Sequence, residues 1–308
     1  MSSLKVTRKK RKRTVGETAF SIINYTIFAI FTLICIYPFY YLFINSISAN
    51  DLSANGSILF YPQNIQFTNY VQVLQLPGFG QAVFISVART VLGTILPVVA
   101  SAFLGFLFSS KEMLGRKIAY RFVVITMYFS AGMIPWYLTM MQLGLLNNFL
   151  AYVIPYIVQP FNIILVKTYI ESTPMALQEA AKVDGAGTLT IFWKIVIPLI
   201  TPILATVAIF GAVGQWNQFM DTVLLMTDSK LYTLQFILYR YLNESASLAK
   251  LMQGNQSATA LAASMATKQT PTSIRMTVTV VVTLPILFVY PFFQRYFVQG
   301  IMIGAVKG

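Results

Sequence analysis

Six apolar blocks, each long enough to cross a bilayer, constrain this chain more than any other feature. They run over Phe20–Ile44, Val83–Phe108, Phe122–Met141, Phe149–Ile170, Ile195–Met226 and Met276–Val298. A hydrocarbon layer of ~30 Å needs ~20 helical residues, and each block meets that length. Backbone groups in lipid must be satisfied internally, so helices are the expected form. The residue-by-residue alternation of an outer-membrane barrel is absent. Composition agrees: 56% of the residues are hydrophobic and only 10% are charged, against roughly 25% charged in a soluble domain. The expected fold class is therefore all-α, a polytopic membrane protein of about six transmembrane helices.

The basic residues predict an orientation. Seven lie between Lys5 and Arg13, in a tail spanning 1–19 that precedes the membrane domain, 20–308. Beside a span, such a tail fixes orientation and meets anionic lipid headgroups rather than nucleic acid. The apolar stretch after it is too long for a cleavable signal peptide, and no small-residue cleavage site follows. The connection Ser109–Arg121 holds Lys111, Arg116, Lys117 and Arg121, whereas Asn45–Ala82 and Gln142–Asn148 hold no Lys or Arg. This alternation places both termini in the cytoplasm. It puts 227–275 outside, although that segment carries Lys230, Arg240, Lys250 and Lys268. Its stretch Ser245–Ser273, rich in Ala, Ser, Thr and Gln, reads as a linker or as a helical lip that meets an extracellular partner.

Several chemistries are excluded or disfavoured. There is no histidine and a single cysteine, Cys35. No internal disulfide is possible, and neither His acid–base catalysis nor a His metal site is available. The nine acidic residues form no carboxylate cluster for a metal. No Gly-x-x-x-x-Gly-Lys-Ser/Thr loop is present, so ATP binding is not expected of this chain. A membrane-embedded enzyme lacks a catalytic set. An ion-coupled carrier would show inverted repeats and ionisable groups at the midplane, and neither is found.

The cytoplasmic segment 172–194 is the most informative. Ser172 or Thr173 is placed to cap a helix with Pro174 at its first position. Met175–Val183 consists of good helix formers, and Asp184-Gly185 stops the helix. A second helix starts near Thr188 and leads through Phe192 and Trp193 into the fifth span. Glu179, Ala180 and Ala181 leave a low surface with one charge, which another protein could approach closely.

These residues resemble a known signature. Glu179-Ala180-Ala181, then Gly185, then Ile195-Val196-Ile197-Pro198 is similar to the EAA motif of ABC-importer permeases, departing only at Ile197, where Leu is usual. Trp216-Asn217-Gln218-Phe219 is similar to the Trp-Asn-x-Phe of carbohydrate-type permeases, and Gln294–Gly300 with Gly304–Gly308 is similar to their tail. Gln269–Met276 resembles the subgroup that handles polysaccharide-derived oligosaccharides. The resemblance covers nearly all of the chain after the basic tail. It implies the type I ABC importer permease fold, with two related permeases forming a heterodimer around one path. Two cytoplasmic ATPase subunits would carry ATP and Mg, and this chain would bind no cofactor. An extracellular solute-binding protein would deliver an oligosaccharide, with a monosaccharide or another polar solute as the alternative cargo. Glu179, Ala180, Ala181, Asp184 and Gly185 would form the coupling helix and its stop, and Lys307 with its neighbours would be a second contact to the ATPase.

Candidate path residues come from the spans. At 100° per residue, Gly211, Gly214, Gln215, Gln218 and Thr222 share one arc of the fifth block. Asp221 sits at its edge and Asn217 lies off it. The arc reads either as close helix packing or as a wall whose amides, Gln215 and Gln218, meet sugar hydroxyls, with Trp216 against a pyranose face and Asn217, off the arc, as a further path candidate. Arg89 and Asp221 are charges within spans, which tend to pair or to line a path. Snorkelling to headgroups, pairing at an outer gate, and an Arg89 contact to an acidic sugar are the three readings open to them.

Overall fold

The computed structural model describes residues 14–243 and 271–305, with the backbone alone at 271, 290 and 292–305. The basic run Lys5–Arg13, most of the linker 245–273 and Lys307 lie outside the described residues. Among the described residues the secondary structure is helical, without strands.

Helix α1 (Val15–Ser46) opens with a capping box: Glu17 N–H donates to Thr14 Oγ1 and Thr14 N–H donates to Glu17 Oε2. Two orphan donors are thus satisfied where the charged tail gives way to the apolar helix. Short helices α2 (Asn50–Ala54) and α3 (Thr68–Leu74) follow, and then α4 (Phe79–Ser109). Helix α4 is the central post, packed against α7 (Pro160–Glu171) and α11 (Thr201–Asn217). Glycine makes this closeness possible. A Cβ on Gly105 would lie 2.8 Å from Val166 Cγ1 and 3.1 Å from the Lys167 backbone nitrogen, and one on Gly93 would lie 2.6 Å from Gln215 Cδ.

The third expected span is interrupted. Helices α5 (Arg116–Thr126) and α6 (Met133–Gln142) are separated by non-helical Met127–Gly132. Gly132 has φ 86, and Pro135 in the first turn of α6 has no N–H to extend the helix backwards. The fourth block is bent as well. Two 3₁₀ turns over Phe149–Tyr156, with Pro155 and Pro160 nearby, meet α7 at 43°.

The fifth block is not one helix. After α8 (Ala176–Val183), α9 (Thr188–Ile191) runs through a π-helical turn, Phe192–Val196, into α10 (Ile197–Leu199). The chain then bends by 79° into α11, where Pro202 lacks the N–H that would continue the ladder. Helix α11 ends at Asn217, Gln218 is extended (φ −72, ψ 126), and α12 (Met220–Leu225) restarts beyond it. Helix α13 occupies residues 234–243, and α14 (Pro271–Ala305) closes the described chain against α1 and α11. By length and apolarity α1, α4 and the start of α14 can cross a membrane, and the two bent pairs raise that number to five.

The packing of the elbow is aromatic. Phe192, 1% exposed, meets Phe103 edge-on at 5.4 Å and Phe106 at 5.5 Å, within a core that includes Val166, Ile170, Ile200 and Val207. Gly105→Val should force the Val166 contact apart at a cost of about 1–3 kcal/mol. A lowered thermal midpoint in detergent is the expected outcome, while Gly16→Ala, whose new Cβ meets nothing within 4 Å, should leave it unchanged.

Candidate functional site

The break after α11 brings together residues that the sequence reading had spread along one helix. Arg89, ten residues into α4, is 1% exposed and so does not snorkel. Its Nη2 lies 2.6 Å from Asp221 Oδ2 and its Nη1 3.0 Å from Asp221 Oδ1, a bidentate pair. Nη1 also donates to the Gln218 carbonyl, and Nε donates to Gln215 Oε1, both at 3.0 Å. The guanidinium carbon stands 4.6 Å from the centre of the Tyr152 ring. Asp221 reaches this position because the chain turns at Gln218–Phe219, and Asp221 Oδ1 accepts the Thr222 N–H. Two buried charges are therefore paired, and further hydrogen bonds from Nε and Nη1 and to Asp221 Oδ1 support the pair, as burial of an ion pair requires. A second layer holds the ring: the Tyr152 hydroxyl donates to the Leu231 carbonyl at 2.7 Å and lies 3.0 Å from Thr222 Oγ1.

Arg89, Gln215 and Gln218 of this cluster line a cavity of about 370 Å³ between α4, α7 and α11. Polar groups come from Tyr156, Gln159, Asn162, Gln215 and Gln218, and the floor is opened by Gly93, Gly211 and Gly214. Sequence reasoning missed Tyr156, Gln159 and Asn162. A signal was available, since Gln159 and Asn162 stand three residues apart in an apolar block and so share a helix face.

Two of the candidate wall residues lie elsewhere. Trp216 packs beside Val278 and Val282 and donates its indole N–H to the Val282 carbonyl at 3.0 Å. Asn217 accepts from Gln235 Nε2 and donates to the Val213 carbonyl. Neither lines the cavity, so the ring reserved for a pyranose face is occupied in helix packing. The expected continuous arc ends at Gln218, and Thr222 belongs to α12, bonded towards Thr233.

The Glu179 set sits at the other end of the molecule. Helix α8 buries none of its residues. Glu179, Ala180, Asp184 and Gly185 are exposed, while Ala181 is half-buried against the Phe192 core. The stop is a Schellman motif: Gly185 N–H donates to the Lys182 carbonyl and Ala186 N–H to the Ala181 carbonyl, with Gly185 at φ +81. Lys182 pairs with Glu112 across to the α4–α5 connection at 2.6 Å. The cap expected from Ser172 or Thr173 is absent. Both hydroxyls donate backwards, to Tyr169 and Ile170 carbonyls, and finish α7 instead. About 17 residues of α4 separate Phe106 at this end from Arg89, roughly 25 Å at 1.5 Å per residue. Among the described residues no cluster of acidic, Cys or His side chains could hold a metal.

Breaking the buried pair from one side should be costly. Asp221→Asn leaves the guanidinium without its counter-charge, a loss of about 3–5 kcal/mol. The combination Arg89→Met with Asp221→Leu should melt at a higher temperature than Asp221→Asn alone, which thermal denaturation of the purified protein measures.

No protein-family model matches the chain. It is 34% identical over 289 residues to the polygalacturonan/rhamnogalacturonan transport system permease protein YtcP of Bacillus subtilis (strain 168), covering 94% of this chain and 98% of that protein. Among solved structures, a chain of a bacterial ABC transporter that imports the acidic polysaccharide alginate superposes with a TM-score of 0.81 at 30% identity. That match covers 94% of this chain and all of the other. A chain from the alginate transporter in complex with its pentasaccharide-bound periplasmic protein shares the fold, with a TM-score of 0.55 and 16% identity over 90% of this chain and 92% of that one. A relative this similar across both full lengths, on a shared helical fold with the Glu-Ala-Ala segment exposed at one end, settles the family: the chain belongs to the permease proteins of bacterial ABC-type sugar importers.

Proposed function

We propose that this permease lines half of a translocation path for an oligosaccharide, and that the cavity between α4, α7 and α11 is part of that path. One observation carries the reading: amide and phenol groups converge on a glycine-opened cavity while Arg89, the charge in its lining, is neutralised by Asp221 behind it. Amides suit sugar hydroxyls, and a paired Arg–Asp leaves no free charge to trap the cargo. Gln215, Gln218, Gln159, Asn162 and Tyr156 are the wall in this reading, and Arg89 with Asp221 shapes it. The named cargoes of the relatives, polygalacturonan/rhamnogalacturonan and alginate, support a polysaccharide-derived oligosaccharide.

In the same reading α8 is the contact to a cytoplasmic ATPase, which carries ATP and Mg. Glu179 supplies the charge, Ala180 and Ala181 the close approach, and Asp184-Gly185 the stop. Both termini face the cytoplasm, 227–275 faces outside, and a second, related permease completes the path. A solute-binding protein delivers the cargo from outside, as the periplasmic partner of the alginate transporter suggests.

Two variants separate path from coupling. Gln159→Leu with Asn162→Leu should lower oligosaccharide uptake by roughly tenfold, the loss of one or two hydrogen bonds of about 1 kcal/mol each, while the ATPase still co-purifies. Gly185→Pro cannot adopt φ +81, because proline is held near −65°, so the ATPase should be lost from the purified complex. Unchanged uptake in the first variant removes the cavity from the path. ATPase retention in the second removes α8 from the coupling contact.

A further inference from the structure

A segment remote from both sites shows an arrangement that neither transport nor coupling explains. Between α2 and α3 the chain is irregular, yet it folds back along α1 instead of projecting away. Three consecutive carbonyls accept from side chains of α1. Asn45 Nδ2 donates to the Ile58 carbonyl at 3.3 Å, the Tyr37 hydroxyl to Leu59 at 3.2 Å, and the Tyr40 hydroxyl to Phe60 at 2.7 Å. The Tyr37 and Phe60 rings meet at 6.1 Å. Ile58 is fully buried, while Leu59, Phe60, Tyr61, Ile65 and Phe67 are each more than half exposed. No Asp, Glu, Lys or Arg occurs between Asp51 and Arg89.

Depth follows from α1. Its 32 residues extend roughly 48 Å at 1.5 Å per residue, about 18 Å more than a ~30 Å hydrocarbon layer. Glu17 is its last charged residue. Twenty residues beyond Glu17, the span of the hydrocarbon, bring the helix to Tyr37. Tyr37 and Tyr40 therefore stand at the boundary between acyl chains and headgroups, the level at which aromatic side chains gather. The segment they hold stands at the same level. Irregular backbone at that depth is tolerated only where its polar groups are satisfied, and the α1 side chains supply that at all three carbonyls.

We propose that residues 58–67 are a membrane-interface anchor, with Leu59, Phe60, Tyr61 and Ile65 seated in lipid on the membrane face at which α1 ends. Lipid is the occupant because the exposed row continues the apolar surface of α1 at Ile36, Phe39 and Phe43, each about half exposed, and because no charge interrupts it. The tyrosine hydroxyls act as clasps that keep the segment down.

The test places an environment-sensitive NBD label on single cysteines in a Cys35→Ser background, at Tyr61→Cys and Ile65→Cys, with Asn55→Cys as a control in the same connection. The assembled importer is studied in nanodiscs. Labels at 61 and 65 should be quenched several-fold more by lipids nitroxide-labelled near the glycerol than by aqueous iodide. Tyr37→Phe with Tyr40→Phe should shift the emission at 61 to the red as the segment lifts. Iodide quenching at 61 equal to that at 55 would show the segment in water and overturn the proposal. Failure of both quenchers would show it covered by a partner subunit and overturn it equally, as would an unshifted emission in the double variant for the clasp.

Discussion

The Arg89–Asp221 pair sets the geometry on which the cavity depends. An unpaired charge at either position would be intolerable at 1% exposure, so wherever α4 carries Arg89 the carboxylate must follow. Asp221 meets it because α11 stops at Asn217 and the chain turns before α12. That turn frees the Gln218 carbonyl, which becomes a further acceptor for Arg89. Gln215, drawn to Nε, is laid across Gly93, where a larger residue would displace it. Pair, helix break and glycine floor thus form one unit.

The opposite end uses backbone geometry where this end uses charge. The 79° elbow and the π-helical turn swing the chain from the surface helix α8 into the span α11. Phe192 fills the space inside the bend against α4. Helix α8 makes little use of burial and is fixed by its Schellman stop and by the Lys182–Glu112 contact to the next connection. This short exposed helix, held at its end, lies over an aromatic core built on α4. The core under the elbow and the cavity share those two helices.

The parts of this architecture that were legible in the sequence are those set by periodicity and length. Uninterrupted apolar runs gave α1, α4 and the start of α14, and the Asp184-Gly185 stop was readable because left-handed backbone selects glycine. The broken spans were not legible. Met127–Gly132 and the Ile195–Met226 run are as apolar as their helical neighbours, so hydropathy passes over the breaks that Gly132, Pro202 and Gln218 make. Hydroxyls near a helix end were equally ambiguous: Ser172 and Thr173 suit the start of α8 but bond back to α7. The Arg89–Asp221 pairing was one of three readings, and burial decided it. Trp216 shows the converse ambiguity, since an aromatic beside amides suits a sugar as well as a helix interface. Only the partner helix, whose register a single sequence does not give, places it against Val282.

In the proposed function, cargo meets the amides of Gln159, Asn162, Gln215 and Gln218 while the Arg89–Asp221 pair stays closed. Its most direct test is a cryo-electron microscopy map of the assembled importer, trapped with oligosaccharide in the membrane. Sugar density is expected against Gln159, Asn162, Gln215 and Gln218, with Arg89 still bidentate on Asp221. Density that opens the pair and places a sugar on Arg89, or that lies on the Trp216 side of α11, would contradict it.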